Sequence, residues 1–221
     1  ASSLYGSNAI GGTLNFLTKA PSLTPTADLG VSSSSEGYRR LEVGASNTFN
    51  TAYGEHGLRL SAYASDRGES WQDHAESNKQ SVTLRHDWRI SDATQVKNIA
   101  SYNHLKADMT GSLNANDFSK RQGYSYQTFT YREVDATRLS SQLNHSWNEQ
   151  QKSQMTVYYR DNTTEQNPSY NIRTDVVSGV PTGTYSGQTT YNAFQSYGLN
   201  VQHSANFDPV KFTIGVMAEH S

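Results

Sequence analysis

The sequence predicts an all-β fold of about nine antiparallel strands connected as a meander, and three observations support this. First, apolar and polar residues alternate with a period of two through most of the chain after residue 26, which is the period of a strand with two different faces. Second, no helical pattern separates these segments, so consecutive strands should pair with one another. Third, short and long connections alternate along the chain.

The composition restricts how such a sheet could be used. Of 221 residues, 34% are hydrophobic, the mean hydropathy is -0.75 and the net charge is only -2. No apolar run approaches the ~20 residues that a membrane-spanning helix needs. A strand that crosses a membrane needs apolar residues only at alternate positions, so transmembrane β-strands remain compatible with this composition. The pI near 6.4 provides no basic excess for binding nucleic acid, and the chain has no cysteine.

The positions of the strands follow from the alternation. In chain order, the segments cover residues 27–32, 41–49, 58–65, 82–90, 95–105, 139–147, 155–159, 197–207 and 212–218. The fifth segment alternates poorly. The connections after strands two, four, six and eight are short, at residues 50–57, 91–94, 148–153 and 208–211. All but the first of the others are long, at residues 66–79, 106–136 and 161–192. Short turns at one rim and long loops at the other are typical of outer-membrane β-barrels.

Aromatic residues provide a second indication of a membrane. Each even-numbered strand ends in an aromatic residue of the apolar face, just before its short turn: Phe49, Trp88, Trp147 and Phe207. These residues would form an aromatic girdle at one membrane interface. Polar residues of the other face would point into a wet lumen, among them Arg59, Arg85, Asp87, Arg89, Arg160 and Gln202.

No catalytic, cofactor or metal site is predicted. His86, His145 and His203 occupy equivalent places on strands four, six and eight, but alternate strands are roughly 10 Å apart, whereas zinc holds its ligands about 2 Å away. These histidines therefore cannot share one ion. The sequence also lacks a nucleophile elbow and a zinc-binding His-Glu-x-x-His motif. We therefore expect the protein not to be an enzyme.

The first nineteen residues carry the most specific pattern in the chain. Leu4, Tyr5 and Gly6 are followed by Ser7, then by Ala9-Ile10 with the Gly11-Gly12 pair, and then by Leu14-Asn15-Phe16 and Thr18-Lys19. This order and spacing closely resemble the end of the plug domain in TonB-dependent outer-membrane receptors. The structural residues of this motif are Leu4, Tyr5, Gly6, Gly11, Gly12 and Asn15.

The resemblance implies a domain organisation and a function. Residues 1–19 would be the C-terminal end of a plug domain, residues 20–26 a linker containing Pro21 and Pro25, and residues 27–221 the first part of a barrel in the bacterial outer membrane. Since about 22 strands close such a barrel, the chain is interpreted as a fragment. The family implies uptake of a ferric siderophore or similar ligand. Its energy would come from the TonB-ExbB-ExbD complex, acting through a segment missing from this sequence.

The long loops contain the candidate ligand-binding residues. Aromatic and cationic side chains could stack on, hydrogen-bond to and neutralise a planar or catecholate ligand with anionic character. The candidates are Arg121, Tyr124, Tyr126, Tyr131, Arg132, Tyr170 and Arg173. Alternatively, the segments only extend hairpins above the membrane.

Two other classes of protein remain open from the sequence. An outer-membrane barrel enzyme of the protease or lipase type would need a cluster of acid, His or Ser residues at its rim or inside. A soluble β-rich carbohydrate-binding module would stay in buffer without detergent.

Overall fold

The strands predicted from the alternation are all present, in the predicted order. The computed structural model describes residues 17–68, 70–167, 173–178, 180–186 and 188–221, with the backbone alone for 173–176 and 181–186. The strands are β1 Thr26–Ser33, β2 Tyr38–Thr51, β3 Gly54–Arg67, β4 Ser77–Arg89, β5 Thr94–Asp108, β6 Tyr131–Ser146, β7 Gln151–Asn167, β8 Arg173–Val177, β9 Val180–Ser186, β10 Thr190–Phe207 and β11 Val210–His220. One short helix, α1 Ala115–Lys120, lies between β5 and β6.

The main sheet is an antiparallel meander. Its order is β1-β2-β3-β4-β5-β6-β7-β10-β11, and β8 pairs with β9 in a separate two-stranded sheet. The predicted meander of nine strands is therefore confirmed. Within the described residues the sheet does not close, and β1 and β11 are its edges. No helix in the described part of the chain is long and apolar enough to cross a membrane.

The two ends of the sheet differ as predicted. At the short-turn end, residues 52–53, 90–93, 147–150 and 208–209 connect the strands. At the long-loop end, the connections after β3, β5 and β7 are residues 68–76, 109–130 and 168–189. The four-residue connection 34–37, also at this end, is the exception that the sequence indicated.

Register and alternation divide the main sheet into two faces. The apolar face carries Leu84, whose cross-strand neighbours are Leu60 on β3 and Ala100 on β5. The polar face carries Arg85, which pairs with Arg59 and Ile99. All six polar residues predicted to point away from the apolar face lie on the polar face: Arg59, Arg85, Asp87, Arg89, Arg160 and Gln202.

The burial pattern is the reverse of that in a water-soluble domain. Ala205 is the one buried hydrophobic residue among the described part of the chain, whereas Leu84 is 45% exposed and Val157 is 42% exposed. The other buried side chains of the sheet are polar, and Ser196 on the polar face is only 1% exposed. An apolar face this large is not left in contact with water by soluble monomers, so it indicates an apolar environment or partner.

The strands extend beyond the predicted segments, and the loops are correspondingly shorter. β7, for example, continues past Tyr159 to Asn167 through a run of polar residues only, so the extension leaves no period-two pattern in the sequence. The prediction of no helix between strands was wrong at α1. The side chain of Asn114 caps this helix by accepting a hydrogen bond from the Asp117 amide, and six residues are too few to produce a helical period in the sequence.

The poor alternation of the fifth segment has a local cause. Asn98 lies on the apolar face of β5, where its amide contacts Nδ1 of His86 at 3.3 Å. Ile99 lies on the polar face, opposite Arg85 and Ser140. The polar Asn98 is therefore hydrogen-bonded on the apolar face, while the apolar Ile99 occupies the polar face. These two exchanged positions interrupt the alternation that identifies a strand in the sequence.

Candidate functional site

Three of the predicted ligand-binding residues meet around a buried carboxylate in the loop between β5 and β6. Asp117 accepts a hydrogen bond of 2.7 Å from Nε of Arg121 and a short one from the hydroxyl of Tyr126. The Arg121 guanidinium carbon lies 3.8 Å from the ring centroid of Tyr124, and Tyr124 meets Tyr126 edge-on at 5.2 Å. The structure therefore brings Arg121, Tyr124 and Tyr126 into one group, which we call the Asp117 cluster.

The charge of this cluster is largely neutralised within it. The Arg121 hydrogen bond lowers the pKa of Asp117, and Asp117 raises the pKa of Arg121, so each stabilises the charged form of the other. The Asp117 side chain is 9% exposed, whereas that of Arg121 is 49% exposed. The Arg121 guanidinium is thus partly exposed to solvent, while it is also paired with Asp117 and lies against the Tyr124 ring.

The connection between β3 and β4 contacts the loop that carries the Asp117 cluster. The Asp73 amide, in the connection between β3 and β4, donates a 2.7 Å hydrogen bond to the carbonyl of Gly123. His74 Nε2 lies 2.6 Å from the carbonyl oxygen of Thr130, a residue that is fully buried. The two loops therefore contact each other through these two hydrogen bonds at the long-loop end of the sheet.

The remaining predicted ligand-binding residues do not join the cluster. Tyr131 lies on the apolar-face side of β6, where its hydroxyl donates to Glu165 of β7. Arg132, the next residue, projects from the opposite face and is exposed. Tyr170 lies outside the described residues, and Arg173 is described only as backbone in β8. Because Tyr131 and Arg132 lie on opposite faces of β6, the predicted ligand-binding residues of this region do not form one continuous surface.

The four aromatic residues predicted as a girdle all lie at the short-turn end of the apolar face. Two of them make polar contacts toward the turns: Trp88 Nε1 donates to the carbonyl of Tyr53 at 2.9 Å, and Trp147 Nε1 donates to the Ser153 hydroxyl at 2.8 Å. Phe207 contacts Phe212 at 6.4 Å between ring centroids. Trp88 and Trp147 therefore each combine an apolar ring with a hydrogen bond to a backbone or hydroxyl oxygen.

The sequence did not predict a role for His56, whose ring contacts two of these aromatic residues. Its ring stacks between Phe49, at 5.7 Å between centroids, and Trp88, at 5.5 Å. His56 Nδ1 also lies 3.0 Å from Nε2 of His86 on the adjacent strand. The histidines in equivalent places on later strands contact hydroxyls instead: His145 contacts Thr94 and His203 contacts Ser153, each at 2.9 Å.

The linker lies along the polar face of the sheet. The Ser22 amide donates to the Ser46 hydroxyl at 2.8 Å, and the Ser22 carbonyl accepts from the Thr48 hydroxyl at 2.7 Å. Farther back, Nη1 of Arg85 donates to the carbonyl of Thr18, while Asp87 holds the same guanidinium in place with an ion pair at 2.7 Å. The chain therefore enters β1 from the polar side, which is where the predicted plug would have to be attached.

A polar cavity of about 270 Å³ lies between this linker and the sheet. Its lining includes both signs of charge, in Glu55, Arg85, Asp87, Arg89 and Lys97. The residues of the plug-like motif, Leu4, Tyr5, Gly6, Gly11, Gly12 and Asn15, fall outside the described residues. Their predicted role stays a prediction.

Solved structures resemble the chain along its whole length. The ferric citrate transporter FecA in its unliganded form matches with a TM-score of 0.76 at 16% sequence identity. The ferric-catecholate import receptor Fiu from E. coli K12, in its open form, matches with a TM-score of 0.70 at 13% identity. The siderophore receptor PiuA from Acinetobacter baumannii matches with a TM-score of 0.70 at 14% identity.

Each match covers 99% of this chain but only part of the other, namely 32% of FecA, 37% of Fiu and 33% of PiuA. No protein-family model and no curated protein matches the sequence. The three similar proteins are described as transporters or receptors. The chain has the fold of one part of the barrel of TonB-dependent siderophore receptors.

Proposed function

We propose that this chain is part of a TonB-dependent receptor that takes up ferric siderophores across the bacterial outer membrane. The observation that carries the proposal is the inverted sheet, with an exposed apolar face on one side and a polar face joined to the linker on the other. A transporter barrel needs this combination, because one face contacts lipid while the other borders a wet passage. The similar fold of proteins described as ferric citrate, ferric-catecholate and siderophore receptors supports the choice of ligand class.

Each end of the sheet has its own part in this proposal. The long-loop end faces the outside and the short-turn end faces the periplasm, because loop lengths in outer-membrane barrels are sorted in this way. Phe49, Trp88, Trp147 and Phe207 then lie at the periplasmic membrane interface. The linker continues from a plug within the lumen, and the TonB-ExbB-ExbD complex supplies the energy that moves the plug.

Ligand capture is assigned to the Asp117 cluster. A ferric siderophore that carries negative charge would approach the open edge of Arg121, and its planar groups would stack beside Tyr124. Because Asp117 already balances most of the charge of Arg121, the cluster provides directed hydrogen bonds more than a net positive field. The ligand class it suits is a planar chelate with oxygen acceptors at its rim.

Uptake by the intact receptor tests the proposal. Iron-starved cells that express the receptor with Arg121→Ala and Tyr124→Ala together should accumulate less radiolabelled ferric siderophore than cells with the unmodified receptor. The matched control is Tyr53→Ala, which removes an exposed tyrosine at the short-turn end. Heat-modifiable mobility on gels should stay unchanged in both variants, since exposed loop side chains contribute little to barrel stability.

Two outcomes would contradict parts of the proposal. If the double variant takes up every ferric chelate tested as well as the unmodified receptor does, the Asp117 cluster does not capture the ligand. If the intact receptor takes up cobalamin, haem or an oligosaccharide and no ferric siderophore, the ligand class is wrong.

A further inference from the structure

Three metal-ligating side chains meet on the apolar-face side of β5 and β6, near the long-loop end. They are His104 on β5 with Glu133 and Asp135 on β6, and within the described residues their donor atoms lie no more than 4.8 Å from one another. His104 and Asp135 are direct cross-strand partners, and Glu133 shares their face because it is two residues from Asp135. We propose that this group binds one divalent transition-metal ion, such as Zn²⁺.

The spacing of the donors suits a metal with small adjustments. His104 Nδ1 lies 3.0 Å from Asp135 Oδ1. Two ligands that are each about 2.0–2.1 Å from a tetrahedral zinc ion are about 3.3 Å apart, so this pair needs to open by only a few tenths of an ångström. The Tyr102 hydroxyl donates a 2.6 Å hydrogen bond to Asp135 and holds its carboxylate in place, as outer partners of metal ligands commonly do.

Negatively charged side chains outnumber positively charged ones around this group, so a bound cation would reduce the excess negative charge. Glu133 is directly opposite Glu165 of β7, and like charges at paired positions of a ladder repel. Lys106 forms an ion pair with Glu133 at 3.5 Å, but its side chain is 59% exposed. One exposed lysine does not balance the carboxylates of Glu133, Asp135 and Glu165. A divalent ion would add two positive charges beside the carboxylates of Glu133 and Asp135.

The donor set selects the class of metal. Calcium and magnesium ions prefer oxygen ligands only, whereas an imidazole together with carboxylates suits zinc and its neighbours in the first transition row. Three protein ligands leave a fourth tetrahedral position open. The His104 and Asp135 side chains are 21% and 39% exposed, so that position can take water or an external oxygen anion.

The site is separate from the proposed transport path. Its ligands lie on the apolar-face side of the sheet, whereas the linker contacts Ser46 and Thr48, and Thr18 just before it contacts Arg85, on the polar face. A bound ion would tie β5 to β6 close to where both strands enter the loop with the Asp117 cluster. Metal binding can therefore be tested without reference to siderophore uptake.

The test uses the full-length receptor, purified in detergent and stripped of metal with a chelator. Calorimetric titration with Zn²⁺ should give one tight site, and Co²⁺ should produce the visible absorption of a tetrahedral complex. His104→Asn and Glu133→Gln should each weaken Zn²⁺ binding about tenfold or more. The controls are His145→Asn, which removes an imidazole on the same face, and His86→Asn, which breaks the pair with His56; both should bind Zn²⁺ like the unmodified receptor.

The proposal is overturned if the unmodified receptor shows no Zn²⁺ site tighter than millimolar, or if His104→Asn and Glu133→Gln bind Zn²⁺ with unchanged affinity. It is also overturned if His86→Asn abolishes the site, because the ion then belongs to the His56 and His86 pair. Heat-modifiable mobility identifies any variant that fails to fold, and Asp135→Asn then replaces that variant with the same expected loss.

Discussion

The hydroxyl of Thr48 donates a 2.7 Å hydrogen bond to the carbonyl oxygen of Ser22, so the linker is attached to the polar face of β2. The Arg85 guanidinium makes a second attachment at the carbonyl of Thr18, and Asp87 fixes its direction. These two contacts determine how the chain passes from the linker into the sheet. They involve backbone carbonyls, so they do not depend on which side chains the linker carries.

The attachment at Arg85 can be tested through proteolysis. Lys19 is exposed directly before the linker and offers a trypsin site beside the contact with Thr18. Arg85→Met removes the donor to Thr18, so trypsin should cut after Lys19 several times faster in the folded receptor. Arg59→Met, which changes the cross-strand neighbour of Arg85, should leave the cleavage rate unchanged. Equal cleavage rates in the two variants would show that Arg85 does not hold the linker.

A glycine on the polar face makes room for a tyrosine. Gly198 lies opposite Tyr158, whose ring occupies the space that a Cβ atom at residue 198 would need. Tyr158 also donates a hydrogen bond to Glu219 of β11, which lies beyond β10 in the sheet. Gly198→Ala should therefore displace the ring and reduce the free energy of unfolding by about 1–3 kcal/mol.

Two further variants separate this clash from a general effect of alanine. Gly44→Ala is the control, because its Cβ would meet only the movable Asp28 carboxylate, at 3.2 Å, and it should cost less. Combining Gly198→Ala with Tyr158→Ala should cost less than the sum of the two single changes, since the double variant has no ring to displace. Additive losses of unfolding free energy would contradict the explanation.

The two faces of β4 should respond very differently to a buried charge. Leu84 lies on the apolar face and Thr83 on the polar face. If Leu84 is near the middle of the membrane, Leu84→Arg should reduce the free energy of unfolding of the receptor from lipid vesicles by about 2–4 kcal/mol, and Thr83→Arg by much less. Denaturant titration measures both, and equal losses would mean that the faces are wrongly assigned.

Labelling of intact cells tests the direction of the sheet in the membrane. An epitope inserted at Gly183, in β9 at the long-loop end, should be labelled by an antibody added outside. An epitope at Asp208, in the turn between β10 and β11, should be labelled only after the outer membrane is permeabilised. Labelling at Asp208 alone would reverse the proposed direction.

The sequence predicted the strands and their faces well because both depend on local alternation. Leu84 and Thr83 could be assigned to opposite faces without any knowledge of their partners. Contacts across strands could not be predicted, because they depend on register, which the turns determine. The pairing of His56 with His86 and that of His104 with Asp135 belong to this class. The Asp117 cluster was predicted only in part, because a helix of six residues leaves little signal in a sequence.

The central claim is that the apolar face of this sheet contacts lipid while its polar face contacts water. Nitroxide labels placed one at a time at residues 81–86 of β4, in the full receptor within lipid bilayers, test it most directly. Collisions with dissolved oxygen should be most frequent at Val82, Leu84 and His86. Collisions with a water-soluble nickel complex should peak at Ser81, Thr83 and Arg85. If both collision rates rise and fall together along the strand, with no period of two in opposite phase, the account is contradicted.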